Sequence, residues 1–249
     1  MAGSVWAIVV AAGRGTRYGG PKQFARVGDR TVVELAVGAV ARVAEGVVVV
    51  IPADLKPEGP RSAQDRLGAL GADILKLSTE ERAVELRVVA GRESRAGSVR
   101  AGLEAVPSDC EVVVVHDAAR PLASPLLCQQ VVEAVLAGAD AAIPGIAVTD
   151  TVKRVQSGEV VETLARESLV RVQTPQAFRA TVLRQAHLGD PEATDDSALV
   201  EALGGTIVVV PGEETNLKIT APSDLELLEW WHDKVLAEAD LTSGEEMSG

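Results

Sequence analysis

The chain has 249 residues, 47% of them hydrophobic and 24% charged, which suits an α/β protein with one large core and excludes a disordered or fibrous chain. Its 24 Lys+Arg against 36 Asp+Glu leave a net charge of −12. That excludes a general nucleic-acid binder, which needs a basic stripe to release counterions, but leaves room for a small anion held by local cations.

An apolar run from Val5 to Val10 predicts a buried parallel strand over 5–11; it is too short to span a membrane and has no basic segment ahead of it. A glycine-rich loop follows, then a helical pattern over 31–44 and a strand over 46–51. Residues 52–85 carry the weakest pattern and read as a surface insertion with a helix near 61–70. Strands over 86–90, 111–115 and 140–144 then alternate with helices over 94–106 and 124–137. Such alternation predicts a single Rossmann-like α/β domain over 1–240, with a mostly parallel twisted sheet and helices on both faces. Within it, 147–172 departs from the pattern. Residues 148–156 and 159–164 alternate about Ser157-Gly158, the signature of a hairpin arm that needs a partner surface. The segment 241–249 is small, acidic and expected to fray. Cys110 and Cys128 form neither a metal-binding spacing nor a disulfide framework, and read as small buried hydrophobes in a reduced, cytoplasmic setting.

The loop Ala11-Ala12-Gly13-Arg14-Gly15-Thr16-Arg17-Tyr18-Gly19-Gly20-Pro21-Lys22-Gln23 carries the most information. Leaving a strand end, its glycines let backbone N–H groups approach an anion. Arg17 and Lys22 add two cations, which suits a polyphosphate gaining charge in a transition state. A P-loop would end Gly-Lys-Ser/Thr, whereas this one ends Pro-Lys-Gln; a dinucleotide fingerprint would need glycine where Tyr18 stands. Kinase motifs are missing too. The plain alternative is a glycine-rich turn with two solvated cations.

A second motif, His116-Asp117-Ala118-Ala119-Arg120-Pro121, follows the strand Val112–Val115. Ligands of open α/β sheets bind beyond the carboxyl ends of the strands, so Asp117 should face the same crevice as the loop. A carboxylate there suits Mg²⁺ held jointly with substrate phosphates, or a sugar hydroxyl. Arg120 adds a planar phosphate donor. His116 reads better as a histidine that shapes the turn than as a base.

Together, Ala-Ala-Gly-x-Gly-x-Arg…Pro-Lys-Gln and Val-His-Asp-Ala-Ala-Arg-Pro resemble the 2-C-methyl-D-erythritol 4-phosphate cytidylyltransferases, members of the GT-A-like nucleotidyltransferases. The likeness continues in order through Asp150–Arg154, Thr174-Pro175-Gln176, Thr194-Asp195-Asp196 and Asn216-Leu217-Lys218-Ile219-Thr220. It implies an enzyme of non-mevalonate isoprenoid biosynthesis that uses CTP and Mg²⁺. It also implies a homodimer whose arm reaches a second subunit, with no nucleic-acid or membrane partner. By motif match, Arg17, Lys22, Arg166 and Lys218 would be catalytic. Ala11, Ala12, Gly13, Gly15, Lys22, Glu93 and Ser98 would bind CTP. Asp117, Arg120, Thr151, Arg166, Thr194 and Lys218 would bind the second substrate, with Asp117 at the metal.

The chain departs from the family pattern at Glu93, where aspartate is frequent, and at Arg92, where glycine is expected. Ser98 has an alternative as a helix cap, and 216–220 as a short strand with Lys218 facing solvent. Three other functions stand beside the main one: a ribitol 5-phosphate cytidylyltransferase, a nicotinamide-dependent oxidoreductase with a degenerate loop, and a non-catalytic nucleotide-binding relative.

Overall fold

The computed structural model describes residues 3–13, 15, 18–53, 84–231 and 234. Four short parallel strands form the heart of the sheet: β1 (Val5–Val10), β4 (Gly46–Ile51), β5 (Glu85–Ala90) and β6 (Val112–Asp117). Between β1 and β4 lies a two-stranded ribbon, β2 (Arg26–Val27) with β3 (Arg30–Thr31). Beyond β6 come β7 (Ala141–Ala147), β10 (Val170–Val172), β11 (Gln176–Arg179) and β12 (Ile207–Pro211). The sheet runs β10-β7-β11-β6-β1-β4-β5, with β12 pairing β7. It is mostly parallel; only β11 and β10 run against the rest.

The near-continuous valine content of β1, β4 and β6 reflects burial on both faces. Val5, Ala7, Val9, Val47, Val49, Val112 and Val114 face α1 (Val32–Ala41) and α3 (Pro125–Leu136). Trp6, Ile8, Val48, Val50, Val113 and Val115 face α2 (Arg95–Ala105), α4 (Ala180–Ala186) and α5 (Asp196–Ala202). A further helix spans 223–231.

The expected helices 31–44, 94–106 and 124–137 form with clear start signals. Thr31 and Glu34 make a reciprocal capping box, and the Ser94 and Ser124 hydroxyls accept from Gly97 and Leu127, with Pro125 in the first turn. The strand expected at 111–115 runs on through His116 and Asp117, because β1 pairs with it that far. Both cysteines are free and buried, and burial pushes their thiols up, Cys110 to about 11 and Cys128 to about 12.

The hairpin is present but shorter than its pattern. Strands β8 (Lys153–Gln156) and β9 (Glu159–Thr163) form a separate antiparallel pair. Ser157 (φ 51°) and Gly158 (φ 85°) supply the two left-handed residues of the turn. Every residue of both strands is exposed, including Val155, Val160 and Val161. The arm therefore projects rather than lying on its own sheet. The helix expected near 61–70 and the segment 241–249 lie outside the described residues.

Candidate active site

Beyond the carboxyl ends of the parallel strands lies a cavity of about 600 Å³ that gathers the glycine loop, residues 91–98, Asp117 and Lys218. Strand pairing starts the loop: Ala11 N donates to Val50 O at 2.8 Å. The buried Gln23 amide then clamps it from inside, donating to Ala11 O at 2.8 Å and Gly13 O at 3.2 Å. Its turn closes on the Gly15 carbonyl, which accepts from Tyr18 N (2.9 Å) and Gly19 N (3.0 Å). Gly15 has φ +61°, and a Cβ there would sit 1.9 Å from Gly20 O, so only glycine fits. Lys22 lines the cavity and donates to the Ile219 carbonyl, joining the loop to the 216–220 strap. Arg17 lies outside the described residues.

The opposite wall is the turn 91–94 and the first turn of α2. Gly91 permits its approach: a Cβ would come within 2.4 Å of Ala12 Cβ and 2.9 Å of Ser98 Oγ. The helix cap is Ser94, not Ser98. Ser98, buried one turn in, donates to Ser94 O at 2.9 Å and accepts from Arg92 N at 3.2 Å, so it shapes the wall. Arg92 is an exposed lining residue of the cavity. Its guanidinium pairs with Glu104 at 2.5 Å along the exposed helix face, leaving Glu93 exposed at the rim.

Asp117 sits on the floor. Its Oδ2 accepts from Lys218 Nζ at 2.6 Å and its Oδ1 from Arg95 Nε and Nη2 at 3.3 Å each. Burial opposes ionisation, but Arg95 and Lys218 outweigh it and hold the carboxyl well below the usual carboxylate range. Beside it, His116 is fully buried and spans the turn. The Arg120 carbonyl must accept from Nε2–H (3.0 Å), so Nδ1 accepts from the Thr174 hydroxyl (3.0 Å), which in turn accepts from Asp117 N (3.0 Å). Burial pushes the imidazole down to about 4, so it is neutral and structural, as expected.

A second cavity of about 220 Å³ adjoins the first, sharing Arg95, Asp117 and Lys218 and adding Arg120 and Thr194. Arg120 is already committed: Nη1 donates to Asn216 O at 2.7 Å and Nη2 to Val172 O at 3.4 Å. Its first task is to tie the strap to β10. The segment 216–220 is no strand. It is an extended strap pinned by buried Asn216, whose Nδ2 donates to Thr174 O at 2.9 Å, and by Ile219 N on Ala119 O at 2.8 Å. Lys218 stays exposed, but its ammonium reaches Asp117. Thr151 and Arg166 line neither cavity; both are exposed at the base of the arm, with Arg166 donating to Thr149 O.

Sequence reasoning passed over Arg95, Gln23, Thr174 and Asp196. The motifs containing them were visible, but the partners that give them meaning are far off in the chain, as with Arg95 and Asp196 at 2.5 Å. Among the described residues, no three His, Cys, Asp or Glu side chains gather into a metal cage. The donor set is one carboxylate, Asp117, which fits Mg²⁺ that keeps its waters and arrives on substrate phosphates. Among the described residues no helix is long and apolar enough to cross a membrane.

Comparison with known proteins agrees with this geometry. The 2-C-methyl-D-erythritol 4-phosphate cytidylyltransferase family model matches residues 5–233. A Nocardia farcinica protein of that name is 43% identical over 237 residues, 93% of this chain and 95% of its own length. A bifunctional IspD/IspF enzyme of Solidesulfovibrio magneticus is 40% identical over 89% of this chain. The chain spans about half (56%) of that bifunctional relative. Among solved structures, the Thermus thermophilus 2-C-methyl-D-erythritol 4-phosphate cytidylyltransferase matches with TM-score 0.70 and 34% identity, covering 94% of this chain and all of that one. The 4-diphosphocytidyl-2C-methyl-D-erythritol synthase of Anaerococcus prevotii gives TM-score 0.75 at 29% identity, with the same coverage. With the family model matching residues 5–233 and a 43% identical relative covered over 95% of its length, this protein belongs to the 2-C-methyl-D-erythritol 4-phosphate cytidylyltransferase family.

Proposed function

We propose that this enzyme condenses CTP with 2-C-methyl-D-erythritol 4-phosphate, giving 4-diphosphocytidyl-2-C-methyl-D-erythritol and pyrophosphate for isoprenoid biosynthesis. The observation that carries the reading is one crevice holding the glycine loop, the 91–98 turn and the Asp117–Lys218 pair, with a smaller cavity opening from it. A phosphate oxygen of the second substrate attacks the α-phosphorus of CTP in line. One P–O bond forms, the α–β bridging bond breaks, and its electron pair leaves on pyrophosphate. A phosphate monoester is largely ionised at neutral pH, with a second pKa of about 6, so no general base is required. Catalysis reduces to positioning and charge stabilisation.

The chain's residues then divide the work. The Ala11–Gly15 backbone cradles the triphosphate, while Lys22 and Arg17 oppose the charge that develops on it. Glu93 at the rim accepts from the cytosine amine, and Ser98 holds the wall behind it. Lys218 and Thr194 face the second substrate, whose hydroxyls meet Asp117, with Arg120 fixing that side of the cavity. Mg²⁺ bound to the phosphates and to Asp117 would supply charge neutralisation. Arg166 and Thr151 lie at the base of an arm that leaves its own domain with Val155, Val160 and Val161 exposed. This supports a homodimer in which each arm completes the other subunit's cavity.

The test is pyrophosphate release with Mg²⁺ and CTP, comparing methylerythritol 4-phosphate with ribitol 5-phosphate, and UTP and ATP with CTP. Release with CTP and methylerythritol phosphate alone is the expected result. Release with ribitol phosphate alone would keep the chemistry and overturn the substrate.

A further inference from the structure

Lys218 is defined at both ends. Its backbone is pinned by Asn216 and Ile219, and its ammonium is held by Asp117 Oδ2 at 2.6 Å. Asp117 is in turn held by Arg95, whose Nε and Nη2 both reach Oδ1. The third guanidinium nitrogen of Arg95 faces away from the site. Nη1 donates to Asp196 Oδ2 at 2.5 Å, and Asp196, 1% exposed, accepts at Oδ1 from His187 Nε2 at 3.0 Å. Three of the five Arg95 N–H groups thus go to two carboxylates, which holds the guanidinium between Asp117 and Asp196 where it lines both cavities.

The chain His187–Asp196–Arg95–Asp117–Lys218 joins the end of α4 and the start of α5 to the floor of the site. Nothing in the chemistry of CTP requires it. It ends at Lys218, the one ammonium among the described residues that lines both cavities. A lysine carries several freely rotating bonds, and a fixed carboxylate removes most of that freedom. We infer that Arg95, gripped from behind by Asp196 and His187, is a positioning residue that fixes Asp117 and through it aims Lys218 at the phosphate of the second substrate. This rests on the reading of Lys218 as a phosphate ligand.

A double-mutant cycle on the full-length enzyme tests it. Pyrophosphate release is measured at high enzyme concentration for Arg95→Gln, Asp196→Asn, Lys218→Ala and the Arg95→Gln/Lys218→Ala double variant, with Mg²⁺–CTP affinity measured by calorimetry. Arg95→Gln and Asp196→Asn should each lower kcat/KM for the second substrate on the order of 10-fold or more, with CTP affinity within about 2-fold. In the Lys218→Ala background, Arg95→Gln should add less than about 3-fold. Full additivity there, or CTP affinity falling in parallel with turnover, overturns the inference. A Lys218→Ala enzyme with full turnover overturns the reading of Lys218 itself, a different and separately visible failure. Should Arg95→Gln not fold, Asp196→Asn, which keeps an oxygen for His187, carries the same cycle.

Discussion

His116 ties the fold to the ionisation state of its own floor, and acid should reveal it. The imidazole is fully buried, donates Nε2–H to the Arg120 carbonyl and accepts at Nδ1 from the Thr174 hydroxyl. A second proton on Nδ1 would meet that hydroxyl hydrogen and force it to turn away from the ring, ending the bond in which Thr174 donates to Nδ1. Burial, partly offset by Asp117, lowers the pKa from 6.5 to about 4. The unfolded chain therefore binds more protons throughout this window, and stability falls as pH falls from about 6.5 towards 4. Linkage puts the loss at pH 5 at about 2 kcal/mol relative to pH 8. The assay is urea unfolding across pH 8 to 5 for the wild type and for His116→Gln, which has no titrating group there. The variant is the less stable at pH 8, since it loses a buried hydrogen-bonded ring, yet its curve should be flatter by about 2 kcal/mol over the range. All other titrating groups are common to both proteins, so parallel curves would refute the assignment of a neutral, turn-shaping His116.

Gly15→Ala places a Cβ 1.9 Å from Gly20 O at φ +61°, so the loop must reshape; CTP affinity by calorimetry should fall about 10-fold or more with little change in Tm. Lys22→Ala removes a cation from the phosphate cradle and should lower kcat on the order of 10²-fold, measured as pyrophosphate release, with unfolding little changed. Val155→Asp with Val160→Asp puts two charges on the exposed arm; ultracentrifugation should show monomers, and turnover should fall with the dimer. A monodisperse dimer of full activity would remove the arm from the interface. Leu228→Ala, at a 0% exposed site packed with Val27, Val32 and Ile219 beneath the strap, should cost about 2–4 kcal/mol of stability in urea unfolding.

The valine runs at 5–10, 46–51 and 112–115 could be read as buried strands because a strand covered on both faces has no polar alternation to lose. Thr31, Ser94 and Ser124 carried the helix starts in their own side chains. The short members of the sheet were hidden. Strands β10, β11 and β12 have three to five residues each, and only the neighbours they pair with make them strands. The segment 216–220 has an apolar–polar alternation that suits a strand, yet the hydrogen bonds it could give a sheet go to Ala119 and to side chains instead.

At the site the division is the same. The sequence by itself determined the family, since the glycine loop with Lys22, the Asp117 motif and the later motifs stand in order along the chain. Tertiary structure alone decided which groups share a charge. Arg95 and Asp196 are 101 positions apart and Asp117 and Lys218 likewise, yet they stand 2.5 and 2.6 Å from one another. Arg120, read from the chain as a phosphate donor, gives one hydrogen from each of Nη1 and Nη2 to the Asn216 and Val172 carbonyls, bonds that only the fold supplies. A residue's type fixes what it can bind, whereas burial and neighbours fix what it does bind, and those neighbours are supplied by strands and helices distant in the chain.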